Sequence, residues 1–169
     1  MRTIFATLAV AAAAAAAAAQ TPPPPKPPGC AGAEHRQLDF WVGEWRVFQG
    51  DTEIAESRIE PVAEGCAISE NYWAPKAPGG PYRGLSYSAF DSKAGKWRQF
   101  YVDVNGAATW YTGGLEGADM VLHADGPNGA KLRMSYSPLP DGAVRQTGKR
   151  SADGGQIWMT GYDYVYRRR

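Results

Sequence analysis

Histidine and cysteine are scarce in this sequence, at two residues each, and neither sign of charge prevails, with 18 Lys and Arg against 17 Asp and Glu. Each shortage closes off a class of function. Two scattered histidines, His35 and His123, cannot supply the three or four clustered ligands of a zinc site, so no metal is expected. An even charge balance gives no electrostatic footing for nucleic acid or an anionic membrane surface. There is no Gly-rich phosphate loop and no dinucleotide fingerprint. Ser86 and Ser88 lack the G-x-S-x-G elbow of a serine hydrolase. No cofactor is expected.

Long apolar runs are missing too, except at the start. Ile4 to Ala19 is unbroken, mostly alanine, and follows the positive Met1-Arg2. Ala17 and Ala19 occupy the small positions that a signal peptidase reads. The run is too poor in Leu, Ile and Phe for a membrane anchor. It reads as a signal peptide over residues 1–19, with the rest of the chain exported to the periplasm or secreted and without a membrane span. Removing 19 of the 169 residues leaves 150, enough for one domain with a core. Residues 20–29, QTPPPPKPPG, form a stiff polyproline spacer that cannot pack, so the domain is expected over residues 30–169. In an oxidising compartment Cys30 and Cys66 are expected to form a disulfide that pins the lead-in segment to the domain.

A short helical turn fits Ala33 to Val42. Beyond it the pattern has period two, cut at short intervals by turn residues. EWRVFQ meets Gly50-Asp51, KWRQFYVDV meets Asn105-Gly106, and later segments are parted by GADM, DGPNG, PDG and SADGG. Asn-Gly and Asp-Gly between alternating segments are strong hairpin signals. About ten short strands with tight turns, and no room for a crossover helix, predict an all-β, antiparallel, up-and-down barrel. A sandwich would need longer Greek-key connections.

Gly43-Glu44-Trp45, at the start of the first strand, resembles the Gly-x-Trp of the calycins, the group of lipocalins and fatty-acid-binding proteins. The resemblance implies that Trp45 plugs one end of the barrel and packs against an arginine of the last strand, Arg167 or Arg168. A wider resemblance covers most of residues 30–168. HRQLDFWVGEW, EGCAISENYW, RGLSYSAFD, KWRQFYVDVNG, VRQ and SADGGQIW are together similar to the bacterial domain-of-unknown-function family numbered 1579, small and often exported proteins with calycin-like barrels. That family implies a fold and no reaction. Haem barrels of similar architecture take a late histidine as ligand, and no histidine follows His123 here.

The same resemblance turns Trp97, Gln99, Tyr101 and Asp103 inward and Arg98, Phe100, Val102 and Val104 outward. An aromatic and polar lining suits a semi-polar guest. The outward apolar residues would suit a homodimer, or equally a strand whose two faces are reversed. Glu70 shares a face with Cys66, Ile68 and Tyr72. Turned inward, it must find a cation or hydrogen-bond donors, or be protonated with a raised pKa. Arg133, Arg145 and Arg150 are candidate partners, and such a pair would hold strands in register. Otherwise Glu70 is an acid/base or a ligand anchor. SADGGQIW, residues 151–158, fits one Asp-box. A single copy excludes a propeller and leaves a turn capped by Ser151 and Asp153 above Trp158.

The sequence thus predicts a barrel that binds a small apolar or amphipathic ligand. Its expected lining is Glu70, Trp73, Trp97, Gln99, Tyr101, Asp103 and Trp110, beneath a lid at residues 74–84 flanked by Trp73 and Tyr82. An isomerase, cyclase or hydratase using Glu70 is the alternative, by analogy of fold. A barrel filled by its own aromatics, acting as an envelope or interaction module, is the third.

Overall fold

The computed structural model describes Pro28–Arg169. The expected signal peptide and most of the expected spacer lie outside the described residues. Ten strands succeed one another: β1 (Gly43–Gln49), β2 (Thr52–Val62), β3 (Ala67–Ala74), β4 (Tyr82–Asp91), β5 (Lys96–Asp103), β6 (Ala108–Glu116), β7 (Asp119–Asp125), β8 (Lys131–Pro138), β9 (Val144–Ser151) and β10 (Met159–Arg168). Each pairs antiparallel with the next, and β10 pairs back onto β1, so the sheet closes as a barrel with no free edge. The expected all-β, ten-stranded, up-and-down barrel is the observed one. Its last strand begins three residues later than QIWMTG would give. Asp153 accepts the backbone N–H groups of Gln156 and Ile157, and Ser151 Oγ accepts that of Gly155, which holds residues 151–158 in a loop.

One end of the barrel is filled. Two 3-10 turns, Ala33–Arg36 and Asp39–Trp41, fold across it. They bury Leu38 and Trp41 among Trp45, Ile59, Ile68, Trp97 and Met120. Cys30 and Cys66 are bonded to each other, and the Arg36 guanidinium donates to the Gly65 carbonyl. The lead-in segment is therefore fastened to the β2–β3 connection from both sides. His35 sits beside Phe90, with Nε2 3.2 Å from Ser92 Oγ.

Trp45 is buried at this end. Its indole donates to the Trp41 carbonyl at 2.8 Å, and the Arg168 guanidinium lies 4.3 Å from its ring. Arg168 also donates to the Val42 carbonyl at 2.9 Å. The partner is thus Arg168 and not Arg167, because the register sets Trp45 opposite Arg168 and turns Arg167 to the other face. Arg167 lies over Phe48 on the outer surface. Gly43 is required here twice. Its φ is +148°, and a Cβ would run into the Arg168 guanidinium. Gly43→Ala is expected to cost about 1–3 kcal/mol through backbone strain and displacement of Arg168, read as a lower urea midpoint.

On the outer wall of β4, β5 and β6, Phe100 stacks on Trp110 at 4.3 Å, opposite Tyr87. Trp110 and Tyr87 are exposed. No helix among the described residues is long and apolar enough to cross a membrane.

Candidate functional site

The other half of the barrel is hollow. A cavity of about 560 Å³ opens between the β1–β2 turn and the β3–β4 loop. Lys76, Ala77 and Pro78 place that loop, the expected lid, at the mouth. Tyrosine dominates the wall: eight of the nine tyrosines in the sequence line it, Tyr87 being the exception. Three come from β10 alone, where YDYVY turns Tyr162, Tyr164 and Tyr166 to the same face by strand alternation. Gly148, opposite Tyr162, leaves room for that ring, since a Cβ there would collide with it. Gly148→Ala is accordingly expected to push Tyr162 into the cavity and weaken ligand uptake several-fold, which titration with a fluorescent ligand would read.

Glu70 lies on this wall and is only 6% exposed. Register explains its surroundings. Its cross-strand neighbour on β4 is Ser86, and Ser57 lies one inward step away on β2. Ser57 Oγ donates to Oε1 at 2.9 Å and Ser86 Oγ to Oε2 at 3.4 Å. Tyr166 Oη is 3.3 Å from Oε1 and 2.7 Å from Gln146 Oε1. The Tyr166 hydroxyl is thus within donor reach of both the Glu70 carboxyl and the Gln146 amide oxygen.

Among the described residues no arginine is bonded to Glu70. Arg133 bonds Glu116 at 3.0 Å and Arg145 bonds Asp163 at 2.8 Å, and Arg150 is exposed. The first two are partnered on the outer surface, and among the described residues no ion pair reaches Glu70. The strand-registering Glu–Arg pair expected of it is therefore not formed. Burial pushes its carboxyl up to about 7, while hydrogen bonds from Ser57, Tyr166 and Ser86 pull the other way. Burial also raises the phenols of Tyr72, Tyr101, Tyr136, Tyr162 and Tyr166, and brings Tyr82 up to about 12. They are neutral hydroxyls at physiological pH, able to donate and accept. Glu70, its carboxyl raised by burial, is thus placed to exchange a proton near neutrality.

Glu70, Gln99 and Tyr101 of the expected lining are on the cavity wall. Gln99 Nε2 donates to Ser88 Oγ at 2.9 Å and Tyr136 Oη at 3.0 Å. The other four residues lie elsewhere. Trp97 does point inward, but at the filled end, where its indole donates to Gln37 Oε1 at 3.0 Å. Trp73 and Trp110 face outward. Trp73 follows the inward Tyr72 and packs under Arg83, and Trp110 pairs with the outward Phe100 while Tyr111 takes the inward position. Asp103 sits behind the wall. It accepts the N–H groups of Asn105 and Ala107, capping that turn, and also the Tyr82 hydroxyl at 2.9 Å. It thereby fixes Tyr82, which bonds Tyr101 in turn.

The tyrosines of β10, together with Tyr111, Tyr136 and Gln146, are the residues that sequence reasoning missed. The period-two tyrosines of YDYVY carried the signal. Among the described residues no group of three or more His, Cys, Asp or Glu is placed to hold a metal ion. Compared with models of known families and with curated proteins, the chain matches none.

Proposed function

We propose that this protein is an exported, calycin-like barrel that binds a small amphipathic molecule, with Glu70 as the polar anchor at the inner end of a tyrosine-lined cavity. The cavity carries this reading. About 560 Å³ is within the range of small-molecule sites. Its wall also has the usual composition of such a site, mostly aromatic surface with a few convergent polar groups. A barrel stoppered by its own aromatics would have no such space. The Cys30–Cys66 bond favours export, since disulfides persist in oxidising compartments. The closed barrel and the Trp45–Arg168 stack favour the kinship with calycins.

The test is denaturing extraction of protein purified from its own compartment, followed by mass spectrometry. An equimolar small molecule is expected. A folded protein that carries nothing, and also fails to take up a neutral apolar fluorophore, contradicts the reading. A carboxyl near 7 favours a second reading, an enzyme using Glu70 as general acid/base. Glu70→Gln separates the two: it abolishes turnover of a substrate in an enzyme and changes only affinity in a binder.

A further inference from the structure

Resting on the ligand-binding reading, we propose that the occupant of this cavity is an organic ammonium, an amine carried on a flat apolar body, with its nitrogen seated at Glu70. Three observations point this way. The carboxylate is buried at the cavity wall, and among the described residues no cation is bonded to it. Its bonded neighbours are hydroxyls, from Ser57 on β2, Ser86 on β4 and Tyr166 on β10. The titratable groups that face it from the packed strands are Tyr72 on β3, Tyr101 on β5, Tyr136 on β8, and Tyr162 and Tyr166 on β10. All of these are neutral. The other charged residues lining the cavity are Glu53 and Lys76, and Glu53 is held by Arg46.

The wall also provides for neutral hydrogen bonding without Glu70. Gln99 and Gln146 are both buried in it. A guest with only hydroxyl or carbonyl groups would be served by the neutral tyrosine hydroxyls of the same wall, with no need for a carboxylate lacking its counter-charge. A buried carboxylate without a partner is costly, and an incoming ammonium supplies that partner through charge-assisted hydrogen bonds. The tyrosine rings complete the fit, because an aromatic face attracts a desolvated cation and stacks on a flat apolar body. An ammonium also draws the carboxyl into its ionised form. Below neutrality Glu70 must lose a proton to accept it, so affinity falls as pH falls.

Tryptamine and tryptophol test this directly, since they differ in an ammonium against a hydroxyl on the same indole body. Both are titrated against the neutral fluorophore N-phenyl-1-naphthylamine held in the folded protein, with fluorophore affinity measured at each pH. At pH 8 tryptamine is expected to displace the fluorophore at least about tenfold more effectively than tryptophol. Its affinity is expected to drop about 30-fold between pH 8 and pH 5.5, following protonation of a single group near 7, while that of tryptophol stays flat. In Glu70→Gln the ratio of the two should fall to about one. Should that variant not fold, the wild-type pH profiles carry the same test.

If the fluorophore binds and tryptophol equals or exceeds tryptamine, or neither displaces it, the ammonium proposal fails and the container reading stands. A fluorophore that does not enter at all, with no heat from either compound in a calorimeter, defeats the container reading and the proposal together.

Discussion

Glu70→Gln is expected to stabilise the folded protein by about 3 kcal/mol at pH 8 and to change its stability little at pH 4. The carboxyl stands at 4.5 in its ordinary environment and at about 7 in the barrel. Between those values the folded state binds the proton more tightly than the unfolded state. Wild-type stability therefore loses ground as pH rises from 4.5 through 7, and the penalty is constant above. A shift of that size corresponds to about 3 kcal/mol. Glutamine is neutral throughout and can still accept from Ser57, so it removes the penalty and nothing below it. Subtracting urea unfolding curves of variant and wild type at each pH cancels every other titrating group. A difference that is flat from pH 4 to pH 8 would show that Glu70 is not confined as described. Such a variant would be more stable and a poorer binder, the usual trade at a site held ready for a ligand.

Trp45→Ala is expected to cost about 3–5 kcal/mol, the range for deleting a large buried aromatic. Trp45 is 1% exposed, and its removal opens the filled end of the barrel. It also leaves the Trp41 carbonyl without its donor and takes the ring from beneath Arg168. Trp45→Phe keeps most of the volume and loses the hydrogen bond, so about 1–2 kcal/mol is expected. Urea midpoints measure both. The effect should be confined to stability. Where the variant remains folded, ligand affinity should match wild type, since Trp45 does not line the cavity. A large loss of affinity in folded Trp45→Ala would mean that the two ends are not independent.

The fold was legible because turn chemistry and period-two alternation are local properties. Asn105-Gly106 and the Asp-box at residues 151–158 mark hairpins whatever surrounds them. Alternation made legible which residues share a face, but not which of the two faces turns inward. Glu70 and Tyr72 point inward, as do Gln99 and Tyr101, and the outward position of Trp73 follows from Tyr72 by the same rule. Depth along the barrel is a different quantity. Trp97 and Tyr101 share one face of β5, yet Trp97 meets Gln37 at the filled end and Tyr101 reaches the cavity. The difference depends on how far the lead-in segment enters, a tertiary fact. Register carried the rest. Trp110 and Tyr111 are equally good candidates in sequence, and only the pairing of Gln99 with Tyr111 turns one in and the other out. The absence of an arginine at Glu70 has the same origin, because Arg133 and Arg145 lie on the outward faces of β8 and β9, bonded to Glu116 and Asp163.

A hollow barrel that takes a guest at its open end must admit a neutral apolar probe. Titration of the folded protein with N-phenyl-1-naphthylamine at pH 8 tests it most directly. Saturable emission enhancement at one fluorophore per chain, weakened in Gly148→Ala, is expected. Emission that does not change, or that rises without saturation and equally in Gly148→Ala, would contradict the hollow barrel.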